Sequence, residues 1–156
     1  MRIGRVRVGG RTSTAVLKGR TVHLVRGGPL GRLEPTGETH PLSKVSLLTP
    51  VVPGKVVAIG LNYRSHLEAR VVPHDEPTHP EPFLKTPSSV IGPGQSIVLP
   101  ADAGRVDEEG EVVVVIGRRA RNLRESEVDA HVLSYTAGND VSAREWQRSD
   151  LQWWRA

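Results

Sequence analysis

Residues 106–117, VDEEGEVVVVIG, hold the strongest strand signal in the chain. Positions 112–116 are apolar and β-branched without a break, the pattern of a strand with both faces buried. Four carboxylates, Asp107, Glu108, Glu109 and Glu111, lead into it. Side chains alternate along a strand, so Glu109 and Glu111 share a face with Val113 and Val115. Charge at the mouth of a buried strand is costly unless it is paired or metal-bound. Carboxylates this close also raise each other's pKa unless a cation neutralises them. Oxygen-only ligation favours Mg²⁺, Mn²⁺ or Ca²⁺. The competing reading is an acidic turn with solvated side chains, and this segment alone leaves both open.

Downstream, GNDVSAREWQ (138–147) supplies a third acid, Asp140, which could complete one face of an octahedron. Ser142 followed three residues later by Glu145 matches a capping box and predicts a helix over 143–151. On that helix Arg144 and Gln147 share a face. Arg144 offers a planar fork suited to a carboxylate, and Gln147 donates or accepts a hydrogen bond. Such a pair is also common on a plainly solvated helix face. Upstream, KVVAIG (55–60) reads as a buried strand, followed by a short helix from Asn62 to about residue 70 that carries His66. Histidine is the usual general base near neutral pH, although a single histidine also serves as a structural hydrogen-bonder. Residues 72–82, VPHDEPTHPEP, contain too many prolines for a helix or central strand and predict a loop able to act as a lid. His74 and His79 lie in it.

Residues 1–48 form a small β unit, with strands at 5–8, 14–17 and 21–25 split by Gly9-Gly10 and Lys18-Gly19 turns. Pro53-Gly54 marks the boundary, placing a small N-terminal β domain at 1–50 and the remainder at 51–156. Further short elements are expected at 96–99 (strand) and 124–133 (helix). The first 40 residues carry net charge +6 within a total of +4. Their arginines alternate with apolar residues, as on the solvent face of strands. Aromatic residues that would stack bases are missing from this segment, which argues against nucleic acid. The absence of cysteine excludes a thiolate nucleophile and Cys-ligated metal. No apolar run reaches the length of a membrane span, and the N-terminus has no signal-peptide core, so a soluble cytoplasmic protein is expected.

The motifs GLNYRSH (60–66), PFLKTPSSVIGPG (82–94), VDEEGEVVVVIG (106–117) and GNDVSAREWQ (138–147), in this order, resemble those of the fumarylacetoacetate hydrolase family. The likeness covers about residues 52–156. It implies a mostly β (α+β) fold with short helices, built on a mixed β-roll that is usually dimeric. It implies Mg²⁺, Mn²⁺ or Ca²⁺ bound by Glu109, Glu111 and Asp140, substrate contacts from Arg144 and Gln147, and His66 as the catalytic histidine. The implied substrate is a small dicarbonyl or 2-oxo acid, with a C–C bond hydrolysed through a metal-stabilised enolate.

Two departures keep other outcomes open. Many members carry a Glu three residues after the histidine, where this chain has Ala69. Glu68 is only two residues away and does not face His66 on a regular helix. Glu76 or Glu81 could take the role instead. Decarboxylation of an oxaloacetate-type substrate, or isomerisation of a 2-hydroxy-diene-dioate, asks less of a His–acid pair than hydrolysis does. Family members also continue past the position of Ala156 with a Lys and more of the β-roll. The chain is therefore expected to leave the apolar faces at 112–116 and 96–99 uncovered and to self-associate. An inactive metal-binding or dimerisation remnant is the reading from another class.

Overall fold

Turn chemistry sets up the N-terminal sheet. Strands β1 (Arg2–Val8) and β2 (Arg11–Lys18) join across Gly9 and Gly10, whose φ angles are +51° and +81°. Two central residues at positive φ make a type I′ hairpin, whose twist matches that of the strands. Strands β3 (Thr21–Arg26) and β4 (Glu34–Pro41) continue the meander, and β5 (Ser46–Leu47) returns beside β1. The antiparallel order is β4-β3-β2-β1-β5. Val6, Ala15, Val22 and Leu24 form the core of this sheet, with Val8, Leu17, Leu42 and Val45 packed against it. Val22 is only 2% exposed, and burying such a side chain stabilises the fold by about 1.5–3 kcal/mol. The arginines behave as surface residues: Arg7 is exposed, and Arg5 Nη1 donates to Thr49 Oγ1 at 3.1 Å.

The structure, a computed structural model, describes residues 1–68 and 76–156 apart from the side chains of His66 and Glu68. The chain divides into two compact units. The first comprises Met1–Val51, Ile91–Val98 and Asp107–Val141. Besides the five-stranded sheet it contains β9 (Gly110–Ile116) and β10 (Val132–Asn139), an antiparallel pair in which Glu111 opposes Gly138 and Val113 opposes Thr136. A bulge lies between Val132 and Ser134. Between the two strands, a 3₁₀ helix (Glu125–His131) replaces the helix expected over 124–133. Its first turn is closed by the Arg124 N–H donating to Glu127 Oε2 at 2.9 Å.

The expected burial of both faces of β9 is not observed. Glu111, Val115, Thr136 and Gly138 line a half-buried face, whereas Val112 is 70% exposed and Tyr135 63% exposed on the opposite one. Among the described residues β9 pairs only with β10, and a hairpin two strands wide leaves one side open to solvent. The uncovered apolar surface anticipated at 112–116 is therefore present. Residues 96–99 join no ladder among the described residues, and Val98 is 86% exposed. A β-rich run without a hydrogen-bonding neighbour does not become a strand.

The second unit comprises Val52–Val90, Leu99–Val106 and Ser142–Ala156. Strand β6 (Val56–Gly60) pairs antiparallel with β7 (Glu81–Lys85). Its burial alternates rather than being continuous, with Val57 half exposed, for the same reason as in β9. Strand β7 takes in Glu81 and Pro82, so the proline-rich loop ends two residues early; proline is tolerated at the start of an edge strand. Leu61 leaves β6 at φ +55°, a left-handed conformation that costs a non-glycine residue about 1–2 kcal/mol. Helix α1 (Arg64–Glu68) follows, and the rest of the helix expected to residue 70 lies outside the described residues, as does His74. The two-residue strands β8 (Val106–Asp107) and β11 (Ser142–Ala143) pair with each other, and helix α2 (Arg144–Ser149) begins directly after β11. No helix among the described residues is long and apolar enough to cross a membrane.

Candidate functional site

The β9–β10 register carries the acidic residues to one end of the hairpin. Gly110 opposes Asn139 and Glu111 opposes Gly138 at the last rungs of the ladder. One step beyond, the Asp140 N–H donates to the Glu109 carbonyl at 2.8 Å. The Glu109 N–H in turn donates to Asn139 Oδ1 at 3.0 Å. Both polar groups of the Glu109 backbone are thus tied to residues 139 and 140, which holds Glu109 beside Asp140. Glu111 sits on the half-buried face, and Asp140 Oδ1 is fully buried. Gly138 has a packing reason as well: a Cβ there would lie 2.7 Å from Val113 Cγ2.

The three residues named from sequence as metal ligands, Glu109, Glu111 and Asp140, therefore share one end of one hairpin. Among the described residues no three His, Cys, Asp or Glu side chains converge on a common metal position. The donor chemistry still fits a hard divalent ion: three carboxylates, in a chain without cysteine. Asn139 was missed as a contributor. Its signal was its place between Gly138 and Asp140, but the bond to Glu109 spans 30 residues and cannot be read from local pattern.

Arg144 and Gln147 lie in the second unit, on α2. Arg144 Nη1 donates to Gln147 Oε1 at 3.1 Å, so the two side chains share a face as their spacing predicts. With its carbonyl oxygen engaged, Gln147 presents its amide N–H groups as donors. Beside them the Arg144 guanidinium forms a donor surface suited to carboxylate or keto oxygens.

The predicted capping box is not what starts α2. Ser142 is buried in β11, the N-cap position is Ala143, and no side chain caps the helix. The helix is instead seated by the Arg144 N–H donating to the Arg105 carbonyl at 2.8 Å and by the Ala143 N–H donating to the Ala156 carbonyl. Glu145 turns its carboxyl group over Gly104. At the far end, the Arg155 guanidinium holds the Asp150 carboxyl below the usual carboxylate range by hydrogen bonding, against the opposing effect of desolvation.

His66 lies on α1, with its side chain outside the described residues. Of the acids considered as its partner, Glu76 accepts a hydrogen bond from Arg64 Nη2 at 2.9 Å, which raises the Arg64 pKa. Glu81 opens β7. His79 is exposed and contacts Thr78 Oγ1 at 3.2 Å.

Two family models match the chain. The family model described as fumarylacetoacetate (FAA) hydrolase C-terminal matches residues 55–156, and the model described as Rv2993c-like, N-terminal, matches residues 1–50. The solved structure of 5-carboxymethyl-2-hydroxymuconate delta-isomerase from Mycobacterium smegmatis is 39% identical with a TM-score of 0.85, covering 100% of this chain and 61% of that one. The oxaloacetate tautomerase FAHD2A of Homo sapiens is 42% identical over 116 residues, 72% of this chain and 36% of that protein. The structure of maleylpyruvate hydrolase from Sphingobium sp. SYK-6, in complex with manganese(II) ion and pyruvate, is 25% identical with a TM-score of 0.68, covering 91% of this chain and 59% of that one. The chain thus spans less than two thirds of the length of these relatives.

Proposed function

The chain belongs to the fumarylacetoacetate hydrolase family, and from that premise we propose that it forms part of a divalent-metal-dependent enzyme acting on small 2-oxo or dicarbonyl acids. The observation that carries this reading is the hairpin end, where the 2.8 Å bond between Asp140 and Glu109 brings two of the three candidate ligands together. Glu109, Glu111 and Asp140 would hold Mg²⁺ or Mn²⁺, with Ca²⁺ also suited to the oxygen donors. A divalent ion there supplies Lewis acidity toward the oxygens of a 2-oxo acid, worth several kcal/mol to developing negative charge.

The chain's own residues supply binding and proton handling. Arg144 binds a substrate carboxylate through its planar fork, and the Gln147 amide orients a neighbouring oxygen. His66 moves a proton to or from substrate carbon or water. In this reading residues 1–50 are an accessory β domain and residues 51–156, which include the matched 55–156, belong to the catalytic domain. A homodimer is the assembly this reading includes, with no nucleic-acid or membrane partner.

Proton transfer between keto and enol forms is the favoured outcome. Two similar proteins are named an isomerase and a tautomerase, and Ala69 stands where a water-activating pair would need an acid. C–C bond hydrolysis is the second reading, supported by the likeness to maleylpyruvate hydrolase.

Calorimetric titration with Mn²⁺ and ultraviolet detection of oxaloacetate enol–keto interconversion test the proposal. Binding by the unmodified chain, lost in Glu109→Gln and Asp140→Asn, is expected. A metal-stimulated rate should disappear with it. Equal Mn²⁺ affinity in all three proteins would overturn the ligand assignment.

A further inference from the structure

Helix α2 is too short to hold its own orientation. It has six residues and no side-chain cap, and isolated helices of that length do not persist in water. Its direction is imposed from outside, and residues 153–156 touch both of its ends. At the start, the Ala156 carbonyl accepts the Ala143 N–H. At the finish, Arg155 Nε donates to Asp150 Oδ2 at 2.6 Å and Arg155 Nη2 to Asp150 Oδ1 at 2.7 Å, a bidentate pair. The same guanidinium lies over the Trp146 ring, 4.5 Å from its centroid.

Residues 153–156 are in turn anchored to the β6–β7 pair. The Trp153 ring meets Phe83 edge-to-face, with centroids 5.6 Å apart and planes at 75°. A Cβ at Gly60 would come within 3.2 Å of the Trp153 ring. A single 3₁₀ turn of chain therefore forms a bracket: Trp153 fixes it to the sheet, and Arg155 and Ala156 grip the helix.

We propose that Arg155 is a positioning residue that sets the orientation of the α2 face carrying Arg144 and Gln147, acting through its paired contacts with Asp150 and Trp146. The inference rests on the reading of Arg144 and Gln147 as substrate contacts. The side chain of Arg155 is 45% exposed and that of Asp150 16% exposed. An ion pair in such a setting adds little stability. What it contributes is direction. A planar fork bound at two oxygens and stacked on an indole leaves α2 little freedom to rotate, and a lysine cannot reproduce the two-point grip on Asp150. Arg144 and Gln147 stand on the same single turn and a half of helix, so a rotation released at Asp150 is felt at both.

The test is a double-mutant cycle on the full chain, with oxalate as the probe and Mn²⁺ held constant. Near-UV circular dichroism and cooperative unfolding check each variant for folding. Arg155→Lys, which keeps the charge, stands in should Arg155→Ala fail to fold. Arg155→Ala and Arg155→Lys are expected to weaken oxalate binding about tenfold while Mn²⁺ affinity stays unchanged. In the Arg144→Ala background, the Arg155 substitution should cause no further loss, because the group it orients is gone. Full additivity would overturn the positioning role, as would oxalate binding untouched by either Arg155 variant. Should Arg144→Ala itself leave oxalate affinity unchanged, or the unmodified chain not bind oxalate, the substrate role of α2 fails and the positioning role with it. Loss in Arg144→Ala without loss in the Arg155 variants refutes the positioning role alone.

Discussion

Replacing Gly104 by alanine probes how α2 is seated. Gly104 adopts φ +65°, and a Cβ there would overlap the Glu145 carboxyl group. Two penalties add. The left-handed backbone costs an L-residue about 1–2 kcal/mol. The clash falls on the far end of a flexible side chain, which can swing into a poorer rotamer for about 0.5–1 kcal/mol. Alanine also restricts the unfolded chain, which offsets about 0.4–1 kcal/mol. The net expectation is a loss of about 1–2 kcal/mol, dominated by the backbone. Urea unfolding followed by tryptophan fluorescence measures it in the unmodified chain, Gly104→Ala, Glu145→Ala and the double variant. Glu145 is exposed, so Glu145→Ala alone should stay within about 0.5 kcal/mol. The double variant should recover only the clash, leaving the backbone cost in place. A Gly104→Ala chain as stable as the original would refute the reasoning. Complete rescue by Glu145→Ala would transfer the whole effect from backbone to side chain.

Other outcomes follow from the same geometry. Val22→Ala, at the most buried side chain of the N-terminal sheet, should cost about 2 kcal/mol in denaturant midpoint analysis; a loss below about 0.5 kcal/mol would mean that the sheet repacks. Glu38 is held below its ordinary pKa of 4.5, first by the hydrogen bond to His40 at 2.8 Å and then by Arg11. A depressed carboxylate stabilises the fold above its unfolded pKa and loses that contribution as pH falls through the folded value. Stability measured from pH 5 downward should therefore decline less steeply in Glu38→Gln, and identical slopes would contradict the assignment. Val112→Lys introduces charge on the exposed face of β9 and should suppress concentration-dependent association in light scattering with little change in stability. A monodisperse monomer in the unmodified chain would show that this face is not sticky.

The fold is legible in the sequence where a single local rule governs. Gly9-Gly10 specifies a tight hairpin because few other residues tolerate two positive φ angles in succession. The three-residue spacing of Arg144 and Gln147 places them together on any helical turn, and they touch at 3.1 Å. It is not legible where burial or pairing depends on a distant partner. Residues 112–116 and 55–60 read as fully buried strands because apolar runs usually have cover on both sides, yet each became half of a two-stranded pair with an open face. Ser142 looked like a helix cap until pairing with β8 drew it into a strand.

Residue chemistry along the chain is enough to establish the turn positions, the period of each strand, the hard-donor character of Glu109, Glu111 and Asp140, and the family motifs, because each depends on neighbours a few residues away. Tertiary structure alone decided which of these meet. The Glu109 backbone is held beside Asp140 by bonds to residues 139 and 140. The orientation of α2 is set by Arg105, Arg155 and Ala156 rather than by a cap of its own. Such contacts close loops whose free energy depends on the whole packed unit, so no local pattern encodes them.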